Sequence, residues 1–231
     1  MDIKCFASSS KGNCYIIDDG HTKIMIECGI QFKEIQIALR FRLSSIAGVL
    51  VSHSHRDHSR SVKDLIKAGV DVYLSEAAIT ELGASGHRVN EISPKKQFQL
   101  GTFTVLPFEL NHDVFNLGFL LANQAGEKLL YATDTYFIRY RFRGLTHIMI
   151  EANYSLDILN ANVESGSIPK EMKKRVLRSH MSLETAKEFL KANDLSKVEA
   201  IFLLHLSDNN SDCERFKREV MELTGKPTYI A

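Results

Sequence analysis

The stretch Val49-Leu50-Val51-Ser52-His53-Ser54-His55-Arg56-Asp57-His58 sets an apolar strand directly against a run of metal-competent side chains. In extended backbone, residues two apart point the same way, so His53 and His55 can address one cation. Asp57 and His58 lie past the expected bend and can face a second cation. Open α/β folds place ligands in the loops that follow strands, and this run stands in such a place. The competing reading is a solvated polar loop with surface histidines.

Upstream, residues 14–18 and 22–28 are apolar, strand-like runs joined by the turn signal Asp18-Asp19-Gly20. Ile35, Leu39 and Leu43 follow at helical spacing, and the apolar run 46–51 then leads into the histidines. Downstream, a helix (62–68), a strand (70–74) and a helix (76–82) alternate. Strands are expected at 97–100, 103–108, 117–121, 128–132 and 145–150, after which the pattern turns helical. Ser182 is placed to cap a helix running to about Lys191. A strand at 200–204, a helix at about 212–223 and a short last strand complete the series. Strands, helix–strand alternation, more strands and then helices predict a layered α/β sandwich. With no repeat or Pro/Gly-rich linker, residues 1–231 read as one domain.

Two further histidines and an aspartate fall at strand ends. His112 follows the strand through Phe108, Asp134 follows the apolar strand through Ala132, and His205 follows 200–204. Each alone reads as a turn or cap residue. Beside the first cluster they read as more ligands, Asp134 having two oxygens with which to bridge two cations.

The ordered set His53, His55, Asp57, His58, His112, Asp134 and His205 resembles the metal-binding motifs of the metallo-β-lactamase fold across nearly the whole chain. Within that fold the chain is similar to YycJ/WalJ-type proteins, in the ribonuclease Z and DNA-processing branch. The stretches Ala7-Ser8-Ser9-Ser10-Lys11-Gly12-Asn13, Ile150-Glu151-Ala152-Asn153, Ser179-His180-Met181-Ser182 and Leu204-His205-Leu206-Ser207 carry this resemblance. It implies an αββα sandwich of two mixed sheets flanked by helices, holding two divalent metal ions, zinc or manganese. It also implies a metal-bridged hydroxide as nucleophile, with Asp57 orienting it. His180, backed by Glu151, is then the general acid or transition-state clamp; the plainer reading makes them an exposed helix residue and a strand-end charge.

Some features depart from the family pattern. Cys28 stands where the second strand usually ends in Asp-x-Gly, which puts the support of the ligand loop in question. The spacing from His58 to His112 leaves little room for the tRNA-gripping arm of ribonuclease Z. The spacing from Asp134 to His180 leaves none for a β-CASP cap. True β-lactamases generally have a Cys ligand in place of Asp134, which argues against antibiotic hydrolysis.

Two divalent cations against Asp57, Asp134 and a hydroxide leave a residual positive charge, which favours an anionic substrate such as a phosphodiester. The leading expectation is a metal-dependent phosphodiesterase acting on nucleic acid, DNA over RNA, as an exonuclease. The alternatives are a small-molecule hydrolase (cyclic nucleotide phosphodiesterase, glyoxalase II-like thioesterase or lactonase) and a metal-stabilised nucleic-acid-binding module without turnover. Composition adds exclusions: 29 Lys plus Arg against 28 Asp plus Glu rule out a strongly basic DNA-coating arm. No stretch is apolar for long enough to predict a membrane span, and Met1–Cys5 lacks a signal-peptide core. Cys5, Cys14 and Cys28, in strand-like contexts, are expected to pack as small hydrophobes, and with Cys213 they fit a reducing cytoplasm. Arg139-Tyr140-Arg141-Phe142-Arg143 and the lysines and arginines from Lys170 to Arg178 are candidate phosphate contacts. His21, His87 and His147 are read as surface or packing residues.

Overall fold

The computed structural model describes residues 1–231, which divide into two compact units. The first comprises residues 1–109 and 114–126; the second comprises residues 110–113 and 127–231.

The first unit runs β1 (Asp2–Ser9), β2 (Gly12–Asp18), β3 (Lys23–Ile26), α1 (Phe32–Ala38), β4 (Val49–Leu50), α2 (Arg56–Ser59), α3 (Val62–Lys67), β5 (Val72–Leu74), α4 (Glu76–Leu82) and β6 (Val89–Glu91). It continues with β7 (Phe98–Leu100), β8 (Phe103–Leu110) and β9 (Asn116–Ala122). Strands β1 to β6 lie side by side in chain order. The β1–β2 and β2–β3 pairs are antiparallel and the pairs from β3 to β6 are parallel. The parallel part needs crossovers, which α1, α3 and α4 supply. Ile35 from α1, Leu39 just past its end, and Val62 and Leu65 from α3 pack against Ile16, Met25, Val49 and Val72. Strand β4 is shorter than its apolar run suggests. Its ladder is extended by single bonds, Ala47 N–H to Lys23 O (2.7 Å) and Val51 N–H to Tyr73 O (3.1 Å).

Leu43 does not continue α1. The helix stops at Ala38 because Arg40 and Phe41 both take left-handed backbone (φ 51° and 58°), and Leu43 falls in a separate single turn. Cys14 and Cys28 are buried as expected, and burial pushes both thiols up in pKa. Cys5 is exposed instead, because β1 is an edge strand with only one neighbour.

The second unit holds β10 (Lys128–Ala132), β11 (His147–Glu151), α5 (Leu156–Glu164), α6 (Lys170–Ser179), α7 (Leu183–Lys191), β12 (Ala200–Leu204), α8 (Cys213–Thr224) and β13 (Thr228–Ile230). Its four strands are parallel, in the order β13-β12-β11-β10. Parallel strands covered on both faces read as unbroken apolar runs, and Leu129–Ala132 and Ile148–Ile150 are wholly buried. The Ser182 hydroxyl accepts the Thr185 N–H (3.1 Å) and opens α7; Asp212 caps α8 in the same way. No helix is long and apolar enough to cross a membrane.

Candidate metal centre

In the first unit the ligand candidates hang from the carboxyl end of β4. His53 and His55 lie in the loop after β4 with a bend at Ser54 between them, and α2, a single turn, then carries Asp57 and His58 on helical backbone. The His53 ring centroid is 4.7 Å from that of His55 and 4.3 Å from that of His58. The three imidazoles therefore converge around His53. Asp57 Oδ2 lies 3.4 Å from His58 Nε2.

Two residues that the sequence reading did not single out hold this cluster. Asn13, wholly buried in β2, has its side-chain amide 3.1 Å from His58 Nε2 and 3.2 Å from the Asp57 carbonyl oxygen. An amide N–H can only donate there, so Nε2 carries the lone pair and Nδ1 the proton. That Nδ1 faces Glu27 Oε1 at 3.5 Å, while Glu27 Oε2 accepts the Ser52 N–H at 3.3 Å. The carboxylate missing at Cys28 is thus supplied one position earlier, by a wholly buried Glu27 in left-handed backbone (φ 60°). Cys28 contributes only main chain: its N–H donates to His58 O (2.8 Å) and its carbonyl accepts the Ser61 N–H (3.0 Å). Gly29 follows because nothing larger fits; a Cβ there would lie 1.6 Å from the Asp57 carbonyl oxygen.

In the second unit, Asp134 follows β10, Glu151 ends β11, His205 follows β12, and His112 and His180 lie in loops. These five come together. Asp134 turns one oxygen to each of two histidines: Oδ2 is 3.7 Å from His112 Nε2 and Oδ1 is 3.7 Å from His205 Nε2. Asp134, Glu151, His180 and His205 offer ligand atoms that all lie within 4.8 Å of one another. Asp134 and His205 share the left-handed backbone of Glu27 (φ 50° and 54°). Such conformations cost on the order of 1–3 kcal/mol each and gather at functional sites.

Glu151 is wholly buried and ties these loops together. It accepts the Thr135 N–H (3.0 Å) and the Met181 N–H (3.2 Å) on Oε2, while Oε1 meets His180 Nδ1 at 2.7 Å and His205 Nδ1 at 3.6 Å. Burial disfavours the charged form of His180, but the charge and hydrogen bond of Glu151 outweigh it and lift the imidazole to about 9. Asn153, also in the quoted Ile150–Asn153 stretch, donates to the His205 carbonyl at 2.7 Å.

His112 tests whether the donors suit a cation. Its Nδ1 faces the Ser179 carbonyl at 3.0 Å, and its Nε2 faces Asp113 Oδ1 at 3.0 Å as well as Asp134. Burial holds its pKa below the ordinary value despite those carboxylates. A neutral imidazole carries one N–H, while oxygens face both nitrogens of this ring. A divalent cation held at Nε2 would settle that imbalance, with Nδ1–H donated to the Ser179 carbonyl. Imidazoles and carboxylates are donors that zinc and manganese accept. The residues fit a metal.

An α/β fold with histidines and aspartates at its strand ends is that of a metal-dependent hydrolase, and comparison with known proteins agrees. The chain belongs to the β-lactamase superfamily: residues 22–206 match the family model described as a beta-lactamase superfamily domain. It is 26% identical over 224 residues to the exodeoxyribonuclease WalJ of Streptococcus pneumoniae, covering 89% of this chain and 81% of that protein. Its fold, two mixed sheets flanked by helices, matches the crystal structure of YhfI, a metallo-β-lactamase fold protein from Bacillus subtilis. That match has a TM-score of 0.75 at 14% identity over 99% of this chain and 95% of the other. The short form of human tRNase Z matches with a TM-score of 0.66 at 13% identity, over 100% and 96%.

Proposed function

We propose that the chain is a dinuclear phosphodiesterase acting on nucleic acid, DNA in preference to RNA, as an exonuclease. His53, His55, Asp57, His58, His112, Asp134 and His205 would hold two divalent ions, zinc or manganese. When bound, such a pair supplies Lewis acidity toward a phosphoryl oxygen and toward water. Asp57 orients the attacking water, and Asp134 offers an oxygen to each of two sites. The Glu151–His180 pair is the observation that carries the reading. A buried carboxylate fixes Nδ1–H of a histidine beside Asp134 and His205, which leaves Nε2 to hold or deliver a proton to a leaving oxygen.

Two supports lie outside that pair. One is the exodeoxyribonuclease name of WalJ, which favours DNA. The other is α6, which ends at His180 and carries Lys170, Lys173, Lys174, Arg175 and Arg178 with only Glu171 opposing. Lys170, Lys173, Lys174 and Arg178 share one face, while Val176 packs inward beside Leu159 and Ile168. The same reading puts the chain in the cytoplasm.

The test is metal-reconstituted protein assayed on single- and double-stranded DNA, RNA, bis-p-nitrophenyl phosphate, a thioester and a lactone. DNA should be degraded from an end. His180→Ala should keep its metals and fold yet lose roughly 10²–10⁴ in DNA turnover, and less with a p-nitrophenolate leaving group. Preferred thioester or lactone hydrolysis would replace this reading with the small-molecule one.

A further inference from the structure

A second cationic feature lies in the first unit, away from its histidines. Lys4, Lys23, Arg40 and Arg42 line a cleft of about 380 Å³ whose apolar wall includes Phe6 and Leu39. Lys23 begins β3 and Ser45 precedes β4, whereas Glu27 and His53 follow the other ends of those strands. At about 3.3 Å per residue, Lys23 lies roughly 13 Å along the strand from Glu27. The cleft is therefore distinct from the metal-ligand cluster of this unit.

Its chemistry is uneven in an informative way. Lys4 and Lys23 already meet carboxylates, Asp2 at 3.2 Å and Asp18 at 3.1 Å. Arg40 and Arg42 meet none, and Phe41 between them is 71% exposed. Phe6 on the cleft wall and Ile37 on α1 are exposed as well. Arg40 and Phe41 reach this arrangement through successive left-handed residues, held by Phe41 N–H to Gln36 O and Arg42 N–H to Leu39 O. A helix end of this type ordinarily takes glycine at the first left-handed position, which would leave no side chain there. Here the same turn instead displays a guanidinium, an aromatic ring and a second guanidinium.

We propose that this cleft is an exosite for single-stranded nucleic acid, with Arg40 and Arg42 taking backbone phosphates and Phe41 stacking a base. The match is one of charge and shape. A polyanion supplies the countercharge that two guanidiniums lack, and unpaired bases supply flat apolar faces for exposed rings, which a duplex keeps stacked inside. The inference deepens the nuclease reading and rests on it. The exosite would hold strand at a distance from the site of cleavage, so it should matter only for substrates long enough to reach both.

The experiment measures binding of a labelled phosphorothioate oligothymidine to the metal-loaded protein across a salt series, beside hydrolysis of bis-p-nitrophenyl phosphate. Arg40→Ala/Arg42→Ala should weaken binding and reduce the slope of log affinity against log salt by about 1.4, the value for two lost single-strand phosphate contacts. Arg40→Lys/Arg42→Lys should restore the slope. Phe41→Ala should weaken binding about fivefold or more with the slope unchanged, and should leave duplex binding alone. None of these should alter bis-p-nitrophenyl phosphate turnover. Unchanged affinity and slope in the arginine double variant would overturn the exosite while leaving DNA cleavage by the wild type intact. Arginine-dependent binding to anionic phospholipid vesicles, with oligothymidine binding unaffected, would overturn it in favour of a lipid surface. Arginine-dependent binding without any phosphodiester cleavage would leave the exosite standing and refute the nuclease.

Discussion

Glu27 and Glu151 are both wholly buried carboxylates at the carboxyl ends of strands, one in each unit, yet they do different amounts of organising. Glu27 accepts the Ser52 N–H and faces His58, which bracket the histidine run that starts at His53. Glu151 gathers three separate loops, through Thr135, through His180 with Met181, and through His205. Where donors are contiguous in sequence, the local backbone brings them together and the carboxylate only steadies them. Where donors are scattered, the buried carboxylate is itself part of what assembles them.

The largest expected effect is at Asp134, which turns an oxygen to each of two histidines. Asp134→Ala should lose at least one of the two metals by elemental analysis, and turnover should fall to background. Full metal retention would put the bridge elsewhere and make the second unit's cluster a supporting group.

Gly29 tests the first unit by packing instead of chemistry. A methyl group at Gly29 cannot coexist with the Asp57 carbonyl, so Gly29→Ala must displace the loop carrying Asp57 and His58 or the end of β3. We expect a loss of about 3 kcal/mol or more in urea unfolding, at the upper end for overpacking. A near-neutral Gly29→Ala would mean that this loop is free to move and is not preorganised by the chain around it.

The two glutamates then compare directly. Replacing Glu151 by Gln keeps an oxygen for the Thr135 and Met181 N–H groups but turns an N–H₂ toward His180 Nδ1, so His180 loses either its Nδ1 proton or the acceptor for it. The expected cost is about 1–3 kcal/mol, together with a turnover defect in the same direction as His180→Ala but milder. Glu27→Gln keeps a side-chain oxygen for the Ser52 N–H. It should lower metal affinity about 10–100-fold, the usual worth of a partner behind a ligating histidine, at less cost in stability. If Glu27→Gln proves the more damaging to stability, the contrast drawn between local and gathered assembly is wrong.

What could be read from the sequence follows the same division. Contiguous signals were legible: the apolar strand running into His53, the Ser182 cap, and the buried strands at 128–132 and 200–204, whose observed limits agree with the apolar runs. The strand-end positions of His112, Asp134 and His205 were legible as well, because an apolar run broken by one polar residue marks a strand end. Glu27 was not, since attention to the Asp-x-Gly position pointed at Cys28 and only the fold shows a carboxylate entering from the residue before. Asn13 closes the quoted Ala7–Asn13 stretch, yet nothing in that run marks it as the residue that meets His58. Asp113 sits beside a predicted ligand with nothing in its spacing to mark it. Helix α1 read too long because periodicity records which residues face the core and says nothing of the left-handed turn at Arg40 and Phe41.

The smallest effect belongs to a carboxylate outside both clusters, which isolates what burial adds. Asp157 on α5 meets Arg215 of α8 at 2.6 Å, and Arg215 also holds Glu219 at 2.7 Å, but the Asp157 side chain is 59% exposed. The hydrogen bond from Arg215 lowers its pKa from the ordinary 3.8 to about 2. A carboxyl that is more acidic in the folded chain stabilises the fold above its unfolded pKa and loses that contribution as pH falls through the folded one. The stability difference between wild type and Asp157→Asn should therefore be full above about pH 4 and fade toward pH 2. Because water screens so exposed a pair, the difference should stay below about 1 kcal/mol and shrink further in high salt. Thermal unfolding across that pH range, with and without added salt, measures both trends. A difference that is larger than this, or that persists at pH 2, would mean that Asp157 acts through the first turn of α5 and not through its charge on Arg215.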